Sequence, residues 1–166
     1  MRVLGVDPGS ITTGFGVIEQ IGGKLRLVEQ GAIRTVRGEE LACRLERIHA
    51  ELTSIIGRCA PTAVAVESPF AGRNVRSLIQ LAHARGVILL AARIAGLEIF
   101  EYSPRSIKSA VVGYGNAEKE QVGKMVRLLL PGCADVQLSA DAADALAVAI
   151  CHAHSHRLSA RIRVAR

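Results

Sequence analysis

Aromatic side chains are scarce in this chain: it has no tryptophan, two tyrosines and three phenylalanines. An aromatic that falls in a loop therefore stands out. Paired cysteine motifs are missing as well. Cys43, Cys59, Cys133 and Cys151 are scattered without C-x-x-C spacing, which predicts reduced, mostly buried thiols in a cytoplasmic protein. Long apolar runs are absent. The most apolar stretch, Gly86 to Gly96, is short and carries Arg93, so no membrane span is expected. Met1-Arg2-Val3-Leu4-Gly5 has no signal-peptide character and moves straight into a strand pattern. P-loop and Rossmann fingerprints are missing too: Gly9 and Gly14 have a suitable gap, but Phe15 stands where a P-loop needs lysine. No internal repeat, linker or low-complexity stretch interrupts the chain before its tail.

What is present is enough for one domain with a sizeable core: 166 residues, 49% of them hydrophobic. Lysine and arginine number 21 against 15 acids, a net charge of +6. That balance suits a polyanionic partner, although plain soluble proteins reach it too.

Arg2 to Asp7 reads as a short strand ending on an acid, and Pro8-Gly9-Ser10 as a turn. Gly14 to Glu19 and Leu25 to Thr35 read as two more strands, joined by the hairpin signal Gly22-Gly23. Glu39 to Arg58 is an amphipathic helix, with Leu41, Leu45, Ile48, Leu52 and Ile55 at helical spacing. Thr62 to Glu67 is a buried strand that again ends on an acid. Asn74 to Ala95 is a long helix stopped by Gly96. Glu98 to Tyr102 is a strand, and Pro104 opens a short helix. Asn116 is expected to cap a helix over Ala117 to Leu130, and Ser139 one from Ala140 to about His154. The predicted architecture is α/β: three antiparallel strands, then two parallel ones, flanked by helices.

The acids carry the chemistry. Asp141 and Asp144 lie three apart on the last helix, so they share one face, amid Ala140, Ala142, Ala143, Ala145 and Ala147. Small residues let a helix lie close to a sheet. Two carboxylates about 4 Å apart there would repel by roughly 4 kcal/mol at an effective dielectric of 20. A divalent cation removes that cost. Asp141 alone also reads as an acid complementing a helix N-terminus; Asp144, beyond the first turn, fits that account less well. Asp7 and Glu67 each end a strand, where an acid often serves only a turn. If those strands are neighbours, both reach one point. Four oxygen ligands without histidine or cysteine suit Mg²⁺ or Mn²⁺ rather than zinc. Such a set can hold two ions that clamp a phosphodiester.

Four stretches together resemble the RuvC family of Holliday-junction resolvases. They are Leu4-Gly5-Val6-Asp7-Pro8-Gly9-Ser10 with Thr13-Gly14-Phe15-Gly16-Val17; Glu67-Ser68-Pro69-Phe70 leading to Arg73-Asn74; Lys108 to Gly113 with Gly115 to Lys119; and Ala140 to Ala147. They occur in family order from Leu4 to about His154. The resemblance implies a ribonuclease H-like nuclease domain over residues 1–155 and a loose basic tail over 156–166. It implies a homodimer, with the long Asn74–Ala95 helix at its interface, that makes paired nicks in a four-way DNA junction, leaving 5′-phosphate ends. Two Mg²⁺ per site are implied, with Mn²⁺ able to substitute, and so is a role beside a RuvA/RuvB-type branch-migration complex. By the same likeness Asp7, Glu67, Asp141 and Asp144 bind the metals, and Lys108 and Lys119 sit near the scissile phosphate. Phe70 matches an aromatic used beside the junction; Arg73, Asn74 and Arg76 are candidate DNA contacts with it. Phe70 has two open readings, stacking on an exposed base or plugging its loop. Pro69, Gly72 and Arg73 depart from the commoner loop pattern, and Asn116 replaces a common serine.

Two other classes compete. Asp7-x-Gly9 followed by Gly14-x-Gly16 also resembles the phosphate loop of actin-like ATPases and sugar kinases, which need two such domains. A non-catalytic junction binder on the same fold would gain nothing from clustered acids; another ribonuclease H-like nuclease would. His152, His154 and His156 alternate, a spacing that does not make a metal trio on a helix, and they are expected to complement a helix end. The tail carries four arginines from Arg157 onward.

Overall fold

The computed structural model describes residues 1–68, 75–133 and 136–164, with 157–164 described by backbone alone. Its centre is a five-stranded sheet. Strand β1 (Arg2–Asp7) pairs antiparallel with β2 (Thr12–Ile21), which pairs antiparallel with β3 (Lys24–Arg34). Gly22 and Gly23 close the second hairpin with φ of 57° and 82°. Two successive positive φ values match the right-handed twist of the strands they join, and glycine adopts them without strain. On its other side β1 pairs parallel with β4 (Ala63–Glu67), and β4 parallel with β5 (Glu98–Tyr102), giving the order β3-β2-β1-β4-β5. The expected arrangement of three antiparallel and two parallel strands is therefore the one observed.

Parallel neighbours require crossovers, and helices supply them. Helix α1 (Leu41–Cys59) links β3 to β4, and α2 (Val75–Ile94) precedes β5. Both pack on one face of the sheet, where Ile48, Leu52, Ile55 and Ile88 meet Leu4, Val6, Val17, Val64 and Val66. Helices α3 (Pro104–Val112), α4 (Lys119–Leu129) and α5 (Ala140–Val164) follow β5. Their Val111, Val122, Val126, Leu146 and Ile150 form the second cluster with Val3, Ile18 and Ala65. Strands β1 and β4 are thus covered on both faces, which is why they read as nearly unbroken apolar runs. By length and composition alone α2 could cross a bilayer. Here Ala84, Ile88, Ala91 and Ala92 form its core face, while Val75, Ile79, Leu90 and Ile94 are exposed.

The contact that sets the site is α5 on β1 and β2. A Cβ at Gly5 would lie 2.1 Å from the Ala145 carbonyl oxygen, and one at Gly14 would lie 2.1 Å from that of Asp141. No residue but glycine fits either place without moving the helix. The alanines of α5 complete the close approach from the other side, as their spacing in the sequence suggests.

Two expected boundaries are corrected. The N-cap of α4 is Glu118, not Asn116. Gln121 Oε1 accepts the Glu118 backbone N–H at 2.8 Å, so the pair satisfies a donor that Asn116, two residues earlier in a turn, does not reach. Helix α5 does end-cap on Ser139, whose Oγ accepts from Ala142 N at 3.2 Å, but it continues to Val164 rather than stopping near His154. Nothing after His154 breaks a helix: the segment contains neither glycine nor proline.

Candidate active site

Val6 is the parallel partner of Val66. The next residues along the two strands are Asp7 and Glu67, so sheet register alone brings both acids to one end of adjacent strands. Asp144 comes from the second turn of α5, which the glycine contacts press against β1. These three carboxylates line one pocket of about 170 Å³ together with Lys108 of α3 and Lys119, the first residue of α4. Five residues spread over more than 130 positions thus meet at a point open to solvent.

The charges in the pocket are crowded. Burial, then the neighbouring charges of Glu67, Asp144 and Asp141, push the Asp7 carboxyl up to about 7, against a lowering pull from Lys119. Glu67 is also raised, by burial first and then by Asp144, while a hydrogen bond with Asp7 and the charges of Lys119 and Lys108 act the other way. Lys119 Nζ donates to Asp144 Oδ2 at 2.6 Å. That bond, together with the Asp144 charge, raises the lysine above its ordinary value. The two ammonium groups of Lys108 and Lys119 do not neutralise three carboxylates. A hard divalent cation fits this all-oxygen set, and Asp7, Glu67 and Asp144 are the residues that would hold it. Among the described residues no three acidic, histidine or cysteine side chains form a closed cage around one point. Asp144 is turned to Lys119.

Asp141 is half-buried on the first turn of α5 and does not line the pocket. Its charge is the weakest of the acidic influences on Asp7. Arg76 is exposed on the first turn of α2, outside the pocket lining. Phe70, Arg73 and Asn74 lie outside the described residues.

One residue that the sequence reading passed over braces the turn after Asp7. Arg44 on α1 is 6% exposed, and its Nη1 donates to the Ser10 carbonyl at 3.3 Å. Thr35 Oγ1 donates to the same carbonyl at 2.9 Å, and Thr13 Oγ1 to Gly9 O at 2.7 Å. The signal was available: Arg44 stands four residues before Ile48 and eight before Leu52, on the apolar stripe of its helix. A buried cation is costly unless polar groups receive it, and the turn carbonyl is such a group.

The histidines do not complement the end of their own helix. With α5 extended to Val164, His152 lies inside the helix and is 2% exposed, with Nδ1 2.9 Å from Tyr102 Oη and its ring 4.3 Å from that of Phe100. His154 Nδ1 is 3.0 Å from Ala110 O.

With this geometry in view, the family model described as crossover junction endodeoxyribonuclease RuvC matches residues 3–152. The chain belongs to the RuvC family. A RuvC relative from Rubrobacter xylanophilus is 51% identical over 95% of this chain and 88% of its own length. One from Chloroflexus aggregans is 50% identical over 93% and 94%. The Thermus thermophilus RuvC structure in complex with a Holliday junction substrate superposes with a TM-score of 0.89, at 38% identity over 96% of both chains. A yeast mitochondrial Holliday junction resolvase, Ydc2, shares the fold alone, with a TM-score of 0.68 at 12% identity. The expected ribonuclease H-like mixed sheet of the RuvC family is the fold observed.

Proposed function

We propose that this protein is a structure-selective endodeoxyribonuclease that resolves four-way DNA junctions by paired, symmetric nicking. The observation that carries this reading is the convergence of Asp7, Glu67 and Asp144 with Lys108 and Lys119 in one solvent-open pocket of a RuvC-family fold. A pure binder of polyanions gains nothing from three crowded carboxylates. A hydrolase does, because acids held together at this cost make a receptor for Mg²⁺, with Mn²⁺ as a substitute.

Divalent ions bound there supply an activated water and offset charge on the reacting phosphate. Asp7, Glu67 and Asp144 would hold them, with Asp141 completing the set from one turn away. Lys108 and Lys119 face the same space and stabilise the extra negative charge of an in-line displacement. Attack of a water on phosphorus, with the bond to the 3′ oxygen broken, would leave 5′-phosphate and 3′-hydroxyl ends. Phe70, Arg73, Asn74 and Arg76, between β4 and the start of α2, contact the junction beside the cut.

Resolution needs two such sites acting on opposed strands, hence a homodimer. The outer face of α2 supports that assembly: Ile79, Ala82, His83, Gly86, Val87 and Leu90 line an apolar groove, a surface that rewards burial against a second copy.

Incubation of the protein with a mobile synthetic four-way junction and Mg²⁺ tests the reading. Paired nicks at symmetric positions, lost when the metal is chelated, are expected. Cleavage of RNA–DNA hybrids with the junction left intact would instead assign a different ribonuclease H-like nuclease.

A further inference from the structure

A second groove opens beside the active-site pocket and shares Lys119 and Asp144 with it. It has a volume of about 390 Å³ and runs between α4 and the first turn of α5, past Lys124, Arg127 and Gly123. We propose that this groove seats the backbone phosphates of the cleaved DNA strand next to the reacting one, with Lys124 and Arg127 as the residues that grip them. The proposal rests on the nuclease reading above and specifies where its substrate lies.

Three observations converge on it. Lys119, Lys124 and Arg127 step along one helix with about 7.5 Å and about 4.5 Å of rise between them. That series is too long for one small anion and suits a run of phosphates leaving the pocket. Lys124 and Arg127 make no ion pair among the described residues, not even Lys124 with Glu120, which lines the same groove one turn before it. Arg127 is also held in place, because its Nη1 donates to the Cys133 carbonyl at 3.1 Å, so its guanidinium needs little ordering to meet a ligand. Finally, Gly123 leaves the groove wall bare. It sits inside α4, where glycine weakens a helix, and a Cβ there would meet no atom within 4 Å. The protein's own packing does not ask for a glycine. A sugar–phosphate backbone lying along the helix gains the room.

The test is a titration of the full chain with a synthetic four-way junction at several salt concentrations, paired with single-turnover cleavage at saturating enzyme. Lys124→Ala should weaken junction affinity about threefold to tenfold and lower the slope of log affinity against log salt by about one, the loss of one phosphate contact. The loss of affinity should exceed the loss of cleavage rate at saturation. Gly123→Glu, which improves the helix and so keeps the fold, should weaken affinity at least as much by adding charge and bulk to the groove. Unchanged affinity and salt slope in both variants, with the parent nicking normally, would overturn the groove and leave the enzyme. A parent that binds DNA but never nicks, with the slope still lowered in Lys124→Ala, would keep the groove and remove the enzyme. A parent that binds no DNA ends both.

Discussion

Lys119 Nζ and Asp144 Oδ2 stand 2.6 Å apart, a bond between the first residue of α4 and the second turn of α5 at the mouth of the pocket. The lysine is largely exposed, with 79% of its side chain accessible, against 21% for the aspartate. An exposed partner makes such a pair worth little to stability, so its value lies in chemistry. Asp144→Asn keeps the shape and removes the charge. Cleavage of a four-way junction in Mg²⁺ should fall by at least about 10²–10³-fold, the scale set by loss of one preorganised charge-stabilising group. Junction affinity should hold or rise, because a negative charge has left a phosphate site. Near-parental nicking would remove Asp144 from the metal set.

Asp7 costs the fold stability in order to serve the site. Its carboxyl is raised to about 7 in the folded chain, by burial and then by Glu67 and Asp144, against about 3.9 unfolded. The folded state therefore takes up a proton more readily than the unfolded one. The penalty is full above pH 7, shrinks as pH falls through that value, and is gone below the unfolded value. Asp7→Asn should raise stability at pH 8 by on the order of 2–4 kcal/mol, with chelator present, and by much less at pH 5. Urea denaturation of both proteins at the two pH values measures it. A gain of equal size at both would place its origin outside ionisation.

Much of this was legible in the sequence because the decisive patterns are local. Alternating and continuous apolar runs gave five strands, and the hairpin at Gly22-Gly23 announced itself by residue type. The acids were legible as strand ends, and register did the rest. What stayed hidden was tertiary. Gly5 and Gly14 look like ordinary strand glycines until α5 is laid across them. Arg44 looks like a solvated helix residue unless its place on the apolar stripe is counted. Asn116 was a credible cap, but Glu118 and Gln121 offered a reciprocal pair two residues later. The end of α5 was misread because the arginine-rich tail was taken as loose, although it holds no helix breaker.

The close approach of α5 to β1 has no slack. At Gly5 a methyl group would meet backbone, Ala145 O at 2.1 Å and Ala149 N at 2.7 Å, and backbone cannot rotate away as a side chain can. Gly5→Ala should cost at least about 1–3 kcal/mol, the scale of overpacking a filled core. It should also lower cleavage under conditions where the variant is fully folded, because displacing α5 moves Asp144 away from Asp7 and Glu67. Thermal melting and junction nicking at a temperature well below the variant's transition separate the two effects. A folded variant with full activity would mean that the helix can retreat without carrying its acids.

His152 gives the fold an acid-labile point about two turns along α5 from Asp144. Its ring is buried against Phe100 and bonded to Tyr102 Oη. Burial, then the charge of His156, lowers its value to about 4, against about 6.5 in the unfolded chain. The unfolded state therefore binds the proton first. The neutral ring contributes its full stability above pH 6.5, and that contribution is lost progressively as pH falls toward 4, reaching about 2–3 kcal/mol. His152→Gln should flatten the decline between pH 7 and pH 4.5, although its stability at pH 7 will be lower for the lost ring packing. Urea midpoints of the parent and variant across that range give the comparison. Because Asp7 has the opposite sign, the cleanest form of the experiment uses Asp7→Asn as the background, where the titration of the histidine is no longer offset. Parallel pH profiles with and without His152 in that background would show that the buried ring keeps its charge state throughout.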